Sequence, residues 1–123
     1  MQDEIRALVT RHCSTLKAEM AAVSRNMERL SGESPVAVDQ ALSGGIEAAH
    51  KIKGSSGSIG FKNISDAAAL LEASLRRVRD SGRYEEPIRT EVEQEVLALH
   101  DLVEHVRPED SSLFAADFSA FAR

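Results

Sequence analysis

One histidine lies in a run of residues whose types and spacing could form a reactive site. The run 49–60 reads Ala-His-Lys-Ile-Lys-Gly-Ser-Ser-Gly-Ser-Ile-Gly and contains His50, Lys53, Gly54 and Gly57. Its apolar spacing predicts a helix, and each glycine inside a helix costs about 1 kcal/mol relative to alanine. We therefore expect another molecule to approach closely the helix face that carries His50.

The residues around His50 match the needs of a nucleophilic imidazole. Such a histidine needs one exposed ring nitrogen, a partner for the other nitrogen, a cation to offset incoming negative charge, and space for a bulky donor. Lys53 lies one helical turn after His50 and can supply the cation. Gly54 and Gly57 remove side chains where another protein would press in, and Ser55 keeps a further position small. The pattern favours transfer of an anionic group through His50.

Length and composition indicate a single globular domain. The 123 residues include 42% hydrophobic and 28% charged residues, enough for one core without disulfides. The net charge of -5 disfavours nucleic-acid binding and favours a protein partner. The single cysteine, Cys13, cannot form an internal disulfide, and no segment has the apolar length of a signal peptide or membrane span. We expect a cytoplasmic protein that binds neither nucleic acid nor membrane.

Apolar residues recur at steps of three and four, which predicts two long helices in the first half of the chain. The first covers 3–30, and the second begins after Ser34 as N-cap, with Pro35 in its first turn. The packing seam of the second helix consists mainly of small and aliphatic residues: Leu42, Gly45, Ala49, Ile52, Ser56 and Ile59. Ile46 shares the neighbouring face with His50, and we expect it to be an exposed anchor for a partner.

Two further helices are predicted in the second half. The third begins after Phe61 with Asn63 as candidate cap and ends at Gly82, and the fourth runs from about 85–87 to the break at Pro108. The apolar stripe of the third helix is Ile64, Ala68, Leu71, Leu75 and Val78. Four such helices with short connections predict an all-α, antiparallel up-down four-helix bundle, expected to be monomeric.

The tail, 109–123, is set apart from the bundle, 1–108. It holds Phe114, Phe118 and Phe121 at spacings of four and three, which predicts a short amphipathic fifth helix that docks on the bundle. A disordered tail and a partner-binding helix are the alternatives.

The run from His50 to Gly60 resembles the motif of the histidine-containing phosphotransfer (HPt) domain family. That motif is roughly His-x-apolar-Lys-Gly-small-small-x-x-apolar-Gly on the second helix of a four-helix bundle, and every position matches. The resemblance implies that His50 accepts a phosphoryl group on Nε2 from a receiver-domain aspartate and passes it to another. It also implies that Lys53 steadies the phosphoryl oxygens and that Gly54 admits the receiver.

The same resemblance points to a carboxylate on the third helix. Family members tend to place a Gln or Glu there, facing the other ring nitrogen of the histidine, and Glu72 holds the corresponding position at the margin of the apolar stripe. We expect Glu72 to accept a hydrogen bond from Nδ1–H of His50, leaving Nε2 as the nucleophile.

The implied role is that of a carrier and not of a stand-alone kinase. The sequence contains no Gly-x-x-x-x-Gly-Lys-Ser/Thr nucleotide loop, and no second domain could bind ATP. We expect no cofactor in this chain and place the Mg²⁺ of the reaction in the partner. The implied partners are receiver domains of a hybrid sensor kinase and of a response regulator. A starting methionine and a self-contained bundle favour a free-standing protein.

Simpler interpretations apply to other polar residues. His12 lies on the core stripe of the first helix, where we expect a half-buried ring that is bonded locally. His100 and His105 are five residues apart and do not share the face that a helical metal pair needs. The basic cluster 76–79 is interpreted as a solvated face.

Two rival functions remain open. In a helical adaptor or oligomerisation module, Gly54 and Gly57 would be buried against a sister helix, whereas docking requires that they be exposed beside an accessible His50. The dimerising histidine domain of a sensor kinase typically has an acidic residue directly after its histidine and a proline nearby. Here Lys51 follows His50, and no proline occurs in 36–86.

Overall fold

The computed structural model describes residues 2–31 and 34–114, which form four α-helices and no strand. The helices are α1 (Gln2–Arg29), α2 (Pro35–Ile59), α3 (Lys62–Ser81) and α4 (Ile88–Glu104), and a 3-10 turn, Pro108–Asp110, follows. α2 packs against α1 and α3, and α4 packs against α3 and α1. Short connections make successive helices antiparallel, so the predicted four-helix bundle is confirmed. None of the described helices combines the length and apolar character needed to cross a membrane.

The start of α2 forms as the sequence predicts, and a glycine ends the helix. Ser34 is the N-cap, and its hydroxyl accepts a hydrogen bond from the amide of Ala37, with Pro35 in the first turn. Gly60 ends the helix in the left-handed region with φ of 93°. The amide of Phe61 then donates to the carbonyl of Ser56 at 2.8 Å, which reverses the chain into α3.

The predicted boundaries of α3 and α4 need two corrections. Asn63 is not the cap of α3, because Phe61 holds that position and the helix begins at Lys62. The side chain of Phe61 is buried and brings the turn directly against the core. α4 ends four residues before Pro108. Arg107 is extended, as expected for a residue that precedes proline.

The core is aliphatic and lies along the centre of the bundle. The most completely buried large side chains come from all four helices: Val9, Leu16, Val23, Ile52, Leu71, Leu75, Val92 and Leu99. Gly45 on α2 faces α1 and α3, where a β-carbon would lie 2.5 Å from Cε of Met27 and 3.3 Å from Cδ1 of Leu75. The small residues of the predicted seam therefore allow neighbouring helices to come close to α2.

His12 is buried more deeply than the sequence predicts, and its partner is not local. Its Nε2 lies 3.4 Å from Oγ of Ser56 on α2, and its ring stacks on Phe61 with centroids 5.8 Å apart. Burial lowers the pKa of His12, which favours the neutral ring. This histidine helps to join α1 to the α2–α3 turn.

The chain after α4 crosses the end of the bundle that holds the α2–α3 turn. Ser111 is buried and donates to the carbonyl of Ile59, while the amide of Ser112 donates to the carbonyl of Gly60 at 3.0 Å. Arg6 of α1 lies over the Phe114 ring, with 5.1 Å between Cζ and the centroid. The described part of the tail begins with a 3-10 turn, Pro108–Asp110, and the rest of the predicted fifth helix, with Phe118 and Phe121, lies outside the described residues.

We predict opposite stability effects for two glycine-to-alanine changes in the α2 segment. Gly60→Ala should lower the free energy of unfolding by about 1–3 kcal/mol, because its φ is left-handed. Its new β-carbon would also lie 2.5 Å from Oγ of Ser112 and 3.0 Å from the amide nitrogen of Ser112. Gly54→Ala should raise the free energy of unfolding by about 1 kcal/mol, because it meets nothing within 4 Å in a helix. Urea denaturation checks both, and a Gly60→Ala protein as stable as the parent would contradict this account.

Candidate functional site

His50 lies on the outer surface of α2 with one ring nitrogen held and the other free. Its side chain is 62% exposed, and its Nδ1 lies 3.0 Å from Oε2 of Glu72 on α3. The predicted hydrogen bond between the two residues is therefore present. Its Nε2 has no hydrogen-bond partner within residues 2–31 and 34–114. The expectation that the ring is accessible is confirmed.

Glu72 is a buried carboxylate surrounded by cationic groups. Its side chain is 6% exposed, and Nζ of Lys53 lies 2.9 Å from Oε1. Oε2 accepts two hydrogen bonds from Arg76, from Nη2 at 2.7 Å and Nε at 3.1 Å, in addition to its contact with His50. A buried carboxylate is tolerated when its charge is paired and its lone pairs are used, as they are here.

These contacts fix the ionisation of Glu72 and through it the proton on His50. Burial alone would raise the pKa of Glu72, but hydrogen bonds from Lys53, Arg76 and His50 lower it from 4.5 to about 2. At neutral pH the carboxylate is ionised and can only accept hydrogen bonds. Nδ1 of His50 must then carry the hydrogen, which leaves the lone pair on Nε2, the exposed nitrogen.

The two glycines after His50 have different surroundings. A β-carbon on Gly54 would meet nothing within 4 Å, so this position is open surface beside His50. A β-carbon on Gly57 would lie 3.2 Å from Oγ of Ser65 on α3. The Ser65 hydroxyl donates to the carbonyl of Lys53 at 2.8 Å. Gly57 thus makes room for a bond between α2 and α3, whereas Gly54 leaves space for another molecule.

Ser55 and Ile46, the two other residues predicted to contact a partner, differ in how deeply they are buried. Ser55 is partly buried, and its hydroxyl donates to the carbonyl of Lys51 within the same helix. Ile46 was expected to be exposed, and that prediction is wrong, because the residue is only 6% exposed and belongs to the core. Because it is buried, it cannot serve as an exposed anchor.

Arg76 is the site residue that the sequence interpretation missed. It belongs to the basic cluster interpreted as a solvated face, yet it makes the shortest measured contact to Glu72. The available signal was its spacing, because residues four apart on a helix are neighbours and an arginine fork suits a carboxylate. In the described part of the chain, no group of three or more His, Cys, Asp or Glu side chains could hold a metal ion.

The fold and this site define a class of protein: a four-helix bundle that presents one exposed histidine, bonded to a buried carboxylate, on its second helix. The family model named Hpt domain matches residues 7–108, so the chain belongs to the Hpt domain family. Neither a curated protein nor a solved structure shows a significant match to the chain. Hpt domains take part in histidine phosphotransfer relays, act as phosphoryl carriers and interact with receiver domains.

We predict that Glu72 makes the stability of the protein depend on pH in acid. Its folded pKa of about 2 lies below its ordinary value of 4.5, so its ionisation stabilises the fold above pH 4.5 and this contribution is lost as the pH falls through about 2. The shift from 4.5 to about 2 corresponds to roughly 3 kcal/mol. Glu72→Gln should lack this component when the free energy of unfolding is measured against pH.

A direct titration serves as the control for that comparison. The carboxyl carbon of Glu72 in the parent protein, followed by NMR, should titrate well below the carboxyls of exposed glutamates. Two results together would contradict the assignment of an ionised buried carboxylate. They are the same dependence of unfolding free energy on pH in the parent and in Glu72→Gln, and a Glu72 pKa like that of exposed glutamates.

Proposed function

We propose that this protein relays a phosphoryl group between receiver-domain aspartates through Nε2 of His50. The observation that supports it most strongly is the exposed Nε2 on a ring whose Nδ1–H is bound by the ionised carboxylate of Glu72 at 3.0 Å. This arrangement gives a nucleophile of fixed tautomer and orientation. The proposal rests on this geometry together with membership of the Hpt domain family.

The transfer step needs one bond made and one bond broken. The Nε2 lone pair attacks phosphorus of the aspartyl phosphate, the P–O bond to the aspartate breaks, and the aspartate leaves as a carboxylate. The ring then carries phosphorus on Nε2 and hydrogen on Nδ1, with a positive charge that the Glu72 carboxylate stabilises. Attack by the aspartate of a second receiver on phosphorus reverses these changes and frees His50.

The cations beside His50 have a supporting role in this scheme. Lys53 is 37% exposed and bonds Oε1 of Glu72, so its ammonium lies beside the ring and can approach phosphoryl oxygens. Phosphoryl transfer depends mainly on positioning and electrostatic stabilisation. We place the Mg²⁺ of the reaction in the receiver, and we assign to this chain the part of a carrier without kinase activity of its own.

We predict that His50 alone carries the label. When the parent is mixed with Mg²⁺ and receiver domains phosphorylated by acetyl phosphate, acid-labile, alkali-stable phosphate should appear on the protein. His50→Gln should accept none, because no other residue in the described site offers a free nucleophilic nitrogen. His100→Gln is the matched control, since that exposed histidine on α4 lies outside the site, and it should be labelled like the parent. Equal labelling of His50→Gln would overturn the proposed function.

We also predict that a bulky side chain at position 54 blocks docking without damaging the nucleophile. Gly54→Leu should reduce the rate of transfer from a phosphorylated receiver at least tenfold, because the open surface beside His50 would be filled. Labelling by the small donor phosphoramidate should stay within twofold of the parent rate. Gln94→Leu adds the same side chain on α4 as a control and should leave both rates unchanged. Unimpeded transfer in Gly54→Leu would contradict docking of the receiver over this position.

A further inference from the structure

A groove between α1 and α2 lies next to the proposed site, and nothing in the transfer mechanism uses it. Its volume is about 520 Å³. The residues that line it are Thr15, Ala18, Glu19, Ala22, Asn26, Gly44, Glu47, Ala48 and Lys51. Four of them are alanine or glycine, so the groove has a floor of short side chains into which a longer side chain could fit.

The groove is continuous with the surface around His50. Lys51 follows His50 directly, and Glu47 precedes it by three residues, so both flank the histidine on the outer side of α2. Gly54, with its open surroundings, lies one turn beyond His50. A protein that covers His50 closely enough to exchange a phosphoryl group would therefore also extend over the end of this groove.

One carboxylate oxygen in the groove has no hydrogen-bond partner among the described residues. Oε2 of Glu19 is inaccessible to solvent and accepts no hydrogen bond from any described residue. Burial raises the pKa of Glu19, and the charge of Lys51 across the groove lowers it only in part. The two groups form no ion pair within 4.0 Å in the described chain. Burial without a bonded donor disfavours the ionised carboxylate, and a positive charge brought close to it by another molecule would reduce that cost.

The charges of the groove indicate which donor would fit. Glu19 and Glu47 contribute two carboxylates against one ammonium from Lys51, so the groove is acidic at neutral pH. A long cationic side chain could lie along the alanine floor and place its charged head beside the partly exposed Glu19 side chain. Complementary charges of this kind raise association rates and select among related partners.

We propose that the α1/α2 groove selects the receiver domain, which inserts a lysine or arginine side chain to bond Glu19 while its aspartate faces His50. This inference rests on the proposed function and names a feature that the partner must carry. Receivers without a basic side chain at this point of contact would exchange phosphate with His50 more slowly.

The test compares charge variants of Glu19 in two labelling reactions. The first uses purified receiver domains encoded by the same organism and phosphorylated by acetyl phosphate. The second uses phosphoramidate, a small donor that needs no docking. Glu19→Lys should lower kcat/KM for transfer from the receivers at least tenfold, and the isosteric Glu19→Gln at least threefold. Both variants should keep the parent rate with phosphoramidate.

Glu28→Lys is the matched control, because Glu28 is an exposed residue of the same helix outside the groove, and it should transfer at the parent rate. Changing the basic residue of the receiver to glutamate should restore transfer to Glu19→Lys. Transfer from the receivers at the parent rate by both Glu19 variants would overturn this inference and leave the proposed function standing. The same would follow if the variants lost as much rate with phosphoramidate as with the receivers. A parent labelled by phosphoramidate but by no receiver would overturn the proposed function, and this inference with it.

Discussion

The structure around His50 depends on one buried negative charge. Glu72 would be unfavourable in its position if it stood alone, because burial disfavours an ionised carboxylate. Lys53, Arg76 and His50 reverse that effect and keep it ionised. The charge in turn aligns the imidazole, decides which nitrogen carries hydrogen, and draws two side chains of α2 towards α3. Loss of the carboxylate would thus affect both the orientation of the His50 ring and the contact between the helices.

Close approach of α2 and α3 is what brings that carboxylate within reach. Gly45 and Ala49 are buried on the packing side of α2, and Gly57 leaves room for the hydroxyl of Ser65. Each glycine weakens the helix by itself, but here the absence of a β-carbon permits packing or a hydrogen bond. Gly54 has no such neighbour. The helix stability lost at this glycine is therefore not offset by any packing contact or hydrogen bond that its missing β-carbon permits.

The sequence was sufficient to predict the features that follow from periodicity and from a local motif. Steps of three and four predicted all four helices, and the resemblance to the HPt family, which the motif around His50 carries, implied Glu72 on the third helix. Ile46 lies at the margin of an apolar stripe, where burial is decided by the neighbouring helix and not by spacing. Arg76 could have turned either towards solvent or towards Glu72, and a sequence alone does not specify that rotamer. The cap of α3 is Phe61 and not Asn63, because the chain enters α3 directly after Gly60 and the carbonyl of Phe61 already accepts a hydrogen bond from the amide of Ser65.

Lys53 illustrates how the bundle prepares a flexible side chain for use. Its main-chain carbonyl is bonded by Ser65, and its ammonium is bonded by Glu72, so α3 holds this one residue at both ends. A free lysine would have to give up considerable rotational freedom at each encounter with an anion. In this protein that ordering happens once, during folding, and an arriving group meets a lysine whose reach is already restricted.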